Sequence, residues 1–141
     1  MSELNDLTGR IIGCAMKVHS SLGPGLLESA YEACLEYELK RSGMRVERQK
    51  PLPVIYEGVA VDCGYRIDLS VEESVILELK AVDALAPIHE AQLLSYLKLS
   101  GLGVGLLINF NVVHLRDGIK RMVNNYADSS RRSSASSAVK S

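Results

Sequence analysis

The sequence predicts an α/β (α+β) domain with a mixed central sheet flanked by helices, in the order helix, three strands, helix, strand. Three observations predict it. The first forty residues carry apolar side chains at helical spacing, and the stretch from Leu52 to Leu79 alternates with period two. A third helical stretch separates that part from the apolar run Leu102–Phe110, and a helix between two strands permits a parallel crossover.

Leu4, Leu7, Ile11, Ile12, Ala15, Val18 and Leu22 mark the first helix, which Gly23-Pro24-Gly25 ends. A second helix is expected from about Leu26 to Ser42, with Tyr31, Cys34, Leu35 and Leu39 on its buried side and Gly43 as its stop. Leu52, Val54 and Tyr56 then share one face, and Glu57-Gly58 reads as a turn. Val59 and Val61 alternate again, followed by Tyr65, Ile67 and Leu69, and Val75–Leu79 reads as a buried strand. Together these make a three-stranded antiparallel meander, with Arg45–Lys50 as an added edge segment. Pro87 suits the first turn of a helix from about Ile88 to Leu99, and Gly101 its stop. Val104, Leu106, Leu107 and Ile108 suit a sheet interior. Val112–Leu115 is expected as a short return strand, and Gly118 to about Ala127 as a last helix carrying Ile119, Met122, Val123 and Tyr126. Residues 1–127 are expected to form a single domain. The Ser- and Arg-rich residues 128–141 are expected to be a disordered tail.

Composition narrows the function. The 141 residues are 47% hydrophobic and 23% charged, which fits one globular domain rather than a disordered chain. No apolar run approaches the roughly 18 residues that cross a bilayer, and Met-Ser-Glu-Leu-Asn-Asp offers no secretory signal. Three widely spaced cysteines form neither a CxxC pair nor a zinc spacing, so reduced thiols in a cytoplasmic protein are expected. A formal net charge of -1 means that any grip on phosphate comes from a local patch or a bound metal. With no Trp and one Phe, stacking surfaces for bases are scarce, although six Tyr are present.

The chemistry concentrates in Tyr65–Lys80. Period two puts Asp68 on the face opposite Ile67 and Leu69, and it puts Ile76, Glu78 and Lys80 together. A hairpin symmetric about Glu73 sets Asp68 directly across from Glu78. Facing Cβ atoms lie about 5 Å apart, where like charges destabilise, and a divalent cation shared by both acids would compensate. The competing reading is a solvated patch of ion pairs, Glu78 with Lys80 and Asp68 with Arg66. The strongly apolar flanks, Val75-Ile76-Leu77 and Leu79, argue for a central strand instead.

Other polar residues have bland readings beside functional ones. Glu28, in a first helical turn, either stabilises the helix dipole or supplies a further metal ligand. His89, Gln92 and Tyr96 share a helical face. They form either a polar flank, or a site in which Gln92 orients the lysine, a water or a phosphate and Tyr96 touches the sugar-phosphate backbone. His19, before the Gly-Pro-Gly break, reads first as a packed or capping residue.

Asp68 followed by Glu78-Leu79-Lys80 resembles the D…(D/E)xK signature of the PD-(D/E)xK nuclease superfamily, with Ile67 in place of the signature proline. Gln92 to Tyr96 resembles the QxxxY element of its RecB-like branch. Lys17-Val18-His19, Gly25 to Tyr31, Leu85 to Gln92 and Gly105 to Phe110 resemble the GxxExxY family, over about residues 7–125. The resemblance implies a restriction-endonuclease-like α-βββ-α-β core and hydrolysis of nucleic-acid phosphodiesters with Mg²⁺ or Mn²⁺. It implies Asp68, Glu78, Lys80 and Gln92 as catalytic residues. It gives Glu28, Asp68, Glu78 and the Leu79 carbonyl as metal ligands, and Tyr96, Tyr31 and His19 as substrate contacts. DNA and RNA both stay open as partner, as do a homodimer and an accessory protein; no membrane partner is expected. An inactive nuclease-fold module for nucleic-acid binding or protein interaction is the alternative.

Overall fold

The computed structural model describes residues 2–124. Helix α1 spans Ser2–Leu22 and α2 Glu28–Arg41, joined by the Gly23-Pro24-Gly25 break. Strand β1 (Val46–Pro51) follows, then a small hairpin of β2 (Val54–Tyr56) and β3 (Val59–Val61). Next come β4 (Arg66–Val71), β5 (Val75–Lys80), α3 (Pro87–Ser100), β6 (Val104–Asn109), a 3-10 turn at Leu115–Gly118, and β7 (Ile119–Val123).

Five strands form one mixed sheet in the order β1-β4-β5-β6-β7. Only β5 and β6 run parallel, across the α3 crossover; the other neighbours are antiparallel. The fold is therefore α+β, with three helices on a five-stranded mixed sheet. One face packs Leu69, Val71, Val75, Leu77 and Leu79 against Ile11, Ala15 and Val18 of α1 and Tyr31, Leu35 and Leu39 of α2. The other packs Ile67, Ile76 and Leu107 against Leu93, Tyr96 and Leu97 of α3. All six residues of β6 are buried, as its continuous apolar run requires. Gly101 ends α3 at φ +77°, a backbone conformation that costs glycine least.

Three expectations need correction. The segment around Leu52–Tyr56 is not a strand of the main sheet. The chain leaves the sheet at Pro51, Pro53 has no amide to give a ladder, and β2 pairs only with β3, through a turn at Glu57-Gly58. The edge segment Arg45–Lys50 takes the vacant place as β1, paired with β4. Val112–Leu115 is not the return strand: the chain bends there into a 3-10 turn, and the strand that returns is β7. The helix expected from Gly118 is that β7. Its apolar residues fit either period over so short a window, and antiparallel pairing with β6 decides it. The expected end of that helix near Ala127, and the tail from 128 onward, lie outside the described residues.

Candidate active site

The β4–β5 hairpin turns at Val71–Ser74, where Glu72 and Glu73 take φ +54° and +50° and the Ser74 amide donates to the Val71 carbonyl at 2.9 Å. This is the mirror-image turn that matches strand twist. Glu72 is pinned there by Arg45, whose amide reaches Glu72 Oε2 at 2.6 Å and whose guanidinium reaches Oε1 at 3.1 Å. The register that follows pairs Val71 with Val75, Ser70 with Ile76 and Leu69 with Leu77, the symmetry expected from the sequence.

The backbone ladder then gives way to side chains. Glu78 Oε2 accepts the Asp68 amide at 3.1 Å, and Asp68 Oδ2 accepts the Leu79 amide at 2.8 Å. The two acids are thus tied across the hairpin at its open end. The regular alternation of faces also breaks here, because Ile67 and Leu69 join opposite core clusters. The expectation that Asp68 lies opposite both of them fails for that reason.

Glu78 is 4% exposed. Burial first, and the adjacent Asp68 second, push its carboxyl up to about 8. Burial likewise raises Asp68, against the Leu79 amide, which favours the ionised form. The charge of Lys80, half-buried at the end of β5, opposes both shifts. The alternative patch of ion pairs does not form: among the described residues neither Glu78 with Lys80 nor Asp68 with Arg66 makes a salt bridge. The end of β5 is held firmly. Phe110 donates its amide to the Lys80 carbonyl at 2.9 Å. Buried Asn109, paired with Lys80 in register, grips both the amide and the carbonyl of Val82.

Helix α2 supplies two acids. Glu28, its first residue, is exposed and raises Asp68 only through its charge. Glu32, one turn on, is 7% exposed. It accepts Arg48 Nε at 2.7 Å and Gln49 Nε2 at 3.0 and 3.1 Å. Gln49 Nε2 also lies 3.4 Å from Asp68 Oδ1, so its amide spans the two acids. Gln49 does this at φ +55°, a strained setting for a non-glycine residue and one that concentrates at functional sites. Sequence reasoning missed Glu32 and Gln49. For Glu32 the signal was available: i+4 spacing from Glu28 puts the two on one helical face. For Gln49 there was none, since only folding brings β1 to this position.

On the α3 side, Gln92 Nε2 donates to the Tyr96 hydroxyl at 3.1 Å. Tyr96 is 5% exposed, and burial, then the charges of Glu78, Tyr65 and Asp68, raise its hydroxyl against the Gln92 bond. The ring of Tyr65 leans on Tyr96 at 6.0 Å between centroids. His89 is spent on capping, its Nδ1 accepting the Ala86 amide at 2.9 Å. Tyr31 has no exposed surface. Its hydroxyl donates to the Gly23 carbonyl at 2.6 Å and accepts the Leu26 amide at 3.1 Å, and its ring stacks on Phe110 at 4.5 Å. It holds the Gly-Pro-Gly loop. His19 is buried, with Nε2 2.8 Å from the Val112 carbonyl. Neither joins the acids.

The model of the PD-(D/E)XK nuclease superfamily matches residues 5–122. The chain belongs to that superfamily. No curated protein and no solved structure matches it. Membership supports a nuclease, implies nucleic acid as the partner, and brings in divalent metals such as Mg²⁺, which nucleases of this superfamily generally use. The donor set can be tested against that. Among the described residues no three His, Cys, Asp or Glu side chains converge to hold a metal ion. Two do converge, Asp68 and Glu78, each with one oxygen engaged by an amide. The other Asp68 oxygen has only the long contact with Gln49. One or two carboxylates, with waters and substrate phosphate filling the remaining positions, is how Mg²⁺ is commonly held. The PD-(D/E)XK chain therefore fits a hard divalent cation. Among the described residues, no helix is long and apolar enough to cross a membrane.

Proposed function

We propose that this chain is a divalent-metal-dependent nuclease that hydrolyses phosphodiester bonds, with Asp68, Glu78 and the Leu79 carbonyl as metal ligands and Lys80 and Gln92 as the other catalytic residues. The observation that carries the reading is the pairing of buried Glu78 with half-buried Asp68 at the open end of the hairpin, with the charge of Lys80 acting on both. A buried acid that an adjacent carboxylate also pushes up is costly to ionise without a cation. Glu28, exposed and acting on Asp68 only through its charge, would be a further ligand, directly or through water. The elements Gly25-Leu26-Leu27-Glu28-Ser29-Ala30-Tyr31 and Gln92 to Tyr96 favour a place in the GxxExxY family and the RecB-like branch. The three free cysteines favour a cytoplasmic setting.

A bound Mg²⁺ or Mn²⁺ supplies Lewis acidity at the scissile phosphate and a more acidic water. The chain does the rest. Glu78 would hold the cation as a carboxylate, its proton released to solvent. The Lys80 ammonium faces the charge that develops on the phosphate, with its backbone fixed by Phe110 and Asn109. Gln92, tethered to Tyr96, orients the attacking water or a phosphate oxygen.

One observation favours the alternative, an inactive module for nucleic-acid or protein binding: each acid already has a backbone amide as partner. Incubating the full chain with single- and double-stranded DNA and RNA in Mg²⁺, Mn²⁺ or EDTA separates the two. The nuclease reading expects metal-dependent cleavage that Lys80→Ala lowers by about a hundredfold or more, with its far-ultraviolet spectrum unchanged. Equal cleavage by Lys80→Ala, or none by the wild type, contradicts it.

A further inference from the structure

The charges of Glu78 and Asp68 reach Tyr96, but of the Tyr65–Tyr96 pair it is Tyr65 that meets solvent. Tyr96 is 5% exposed with its hydroxyl engaged by Gln92, whereas Tyr65, leaning on it, is 45% exposed. We infer that the open face of Tyr65 is a stacking platform for an unpaired nucleobase next to the Asp68–Glu78 pair, so that the chain takes its substrate as a single strand. The inference rests on the nuclease reading and names the form of its substrate.

Four observations carry it. Tyr65 is rigidly mounted: its carbonyl accepts the Leu52 amide at 3.0 Å and Arg66 Nη1 at 2.9 Å, and its ring is backed by Tyr96. A platform that is already ordered loses little freedom when a base lands on it. It stands three residues before Asp68 along the chain, about 10 Å at strand rise, the scale of one or two nucleotides from the reacting phosphate. Exposed Arg66 makes no salt bridge among the described residues, leaving its guanidinium available to a phosphate or a ring edge beside that base. The Leu52–Tyr65 bond closes the base of the segment that carries the β2–β3 hairpin, where Ile55, Tyr56 and Val59 are all more than half exposed.

Charge favours the same substrate. With a formal net charge of -1, the chain has little general attraction for the dense phosphates of a duplex. Stacking adds affinity that does not depend on net charge, and only unpaired bases offer their faces.

Fluorescence anisotropy tests this with a labelled 12-nucleotide single strand and the matching blunt duplex, in EDTA and in Ca²⁺. The variants are Tyr65→Ala, Tyr65→Phe, Tyr65→Leu as an apolar variant that keeps packing on Tyr96, and Tyr37→Ala as a control at an exposed tyrosine on the outer side of α2. The wild type should prefer the single strand. Tyr65→Ala and Tyr65→Leu should weaken that binding about tenfold or more, while Tyr65→Phe and Tyr37→Ala keep it. Wild-type affinity in the Leu variant, or equal loss on strand and duplex, overturns the platform and leaves the nuclease reading standing. A wild type that binds neither nucleic acid overturns both.

Discussion

Asp68 and Glu78 hold each other's strand: Glu78 Oε2 accepts the Asp68 amide at 3.1 Å, while Asp68 Oδ2 accepts the amide of Leu79 at 2.8 Å. Main-chain pairing runs only as far as Leu69↔Leu77, so the hairpin continues through its acids. Glu78 is buried and Asp68 half-buried, and Asp68 stands close enough to raise Glu78.

That arrangement sets a pH dependence. Glu78 binds its proton more tightly in the folded chain, up to about 8, than in the unfolded chain at its ordinary value of 4.5. The resulting stabilisation is complete below pH 4.5 and is lost as pH rises through 8. In EDTA the melting temperature should therefore fall from pH 5.5 to 8.5, by the equivalent of about 2–3 kcal/mol. Glu78→Gln should flatten that fall. A melting temperature that rises over this range contradicts the assignment.

Glu32 is expected to matter as much to stability as to the site. Its carboxylate is the shared acceptor of Arg48 and Gln49 in a nearly buried setting. Glu32→Ala should cost about 1–2 kcal/mol, because it removes the acceptor of Gln49 and one of the two carboxylates that hold exposed Arg48. In a denaturant series the double variant with Arg48→Ala should lose less than the two single losses added. Strict additivity would mean that the pair is not coupled.

Ser70 gives the opposite sign. Its buried hydroxyl has no hydrogen-bond partner among the described residues. Ser70→Ala removes an unsatisfied group without opening a large cavity, and should leave stability unchanged or raise it by up to about 1 kcal/mol. A loss above that in urea unfolding would reveal a partner for the hydroxyl.

The hairpin was legible from the chain because its register depends on local features, a short turn at Glu72-Glu73 and the apolar start Val75-Ile76-Leu77 of the return strand. The α3 crossover and buried β6 were legible for similar reasons, since Pro87, Gly101 and an unbroken apolar run are strong signals. What was not legible depends on long-range pairing. β7 is a strand because β6 offers it an edge, and five residues of ambiguous spacing do not encode that. The roles of Glu32 and Gln49 exist only after β1 has docked beside β4. Tyr31 looked like part of a functional motif, yet its hydroxyl closes the Gly-Pro-Gly loop. A motif tyrosine at that spacing serves either purpose, and only burial distinguishes them.

The central claim is that Asp68 and Glu78 form a cation site, and thermal unfolding of the full chain tests it most directly. Wild type and Asp68→Asn/Glu78→Gln are melted in EDTA, Mg²⁺ and Mn²⁺ at pH 8. A cation that binds only the folded state stabilises it by about 2.7 kcal/mol at a hundred times its dissociation constant. The account predicts that either metal raises the wild-type melting temperature at millimolar concentration and leaves the double variant unmoved. An unresponsive wild type, or a double variant that responds equally, would contradict it.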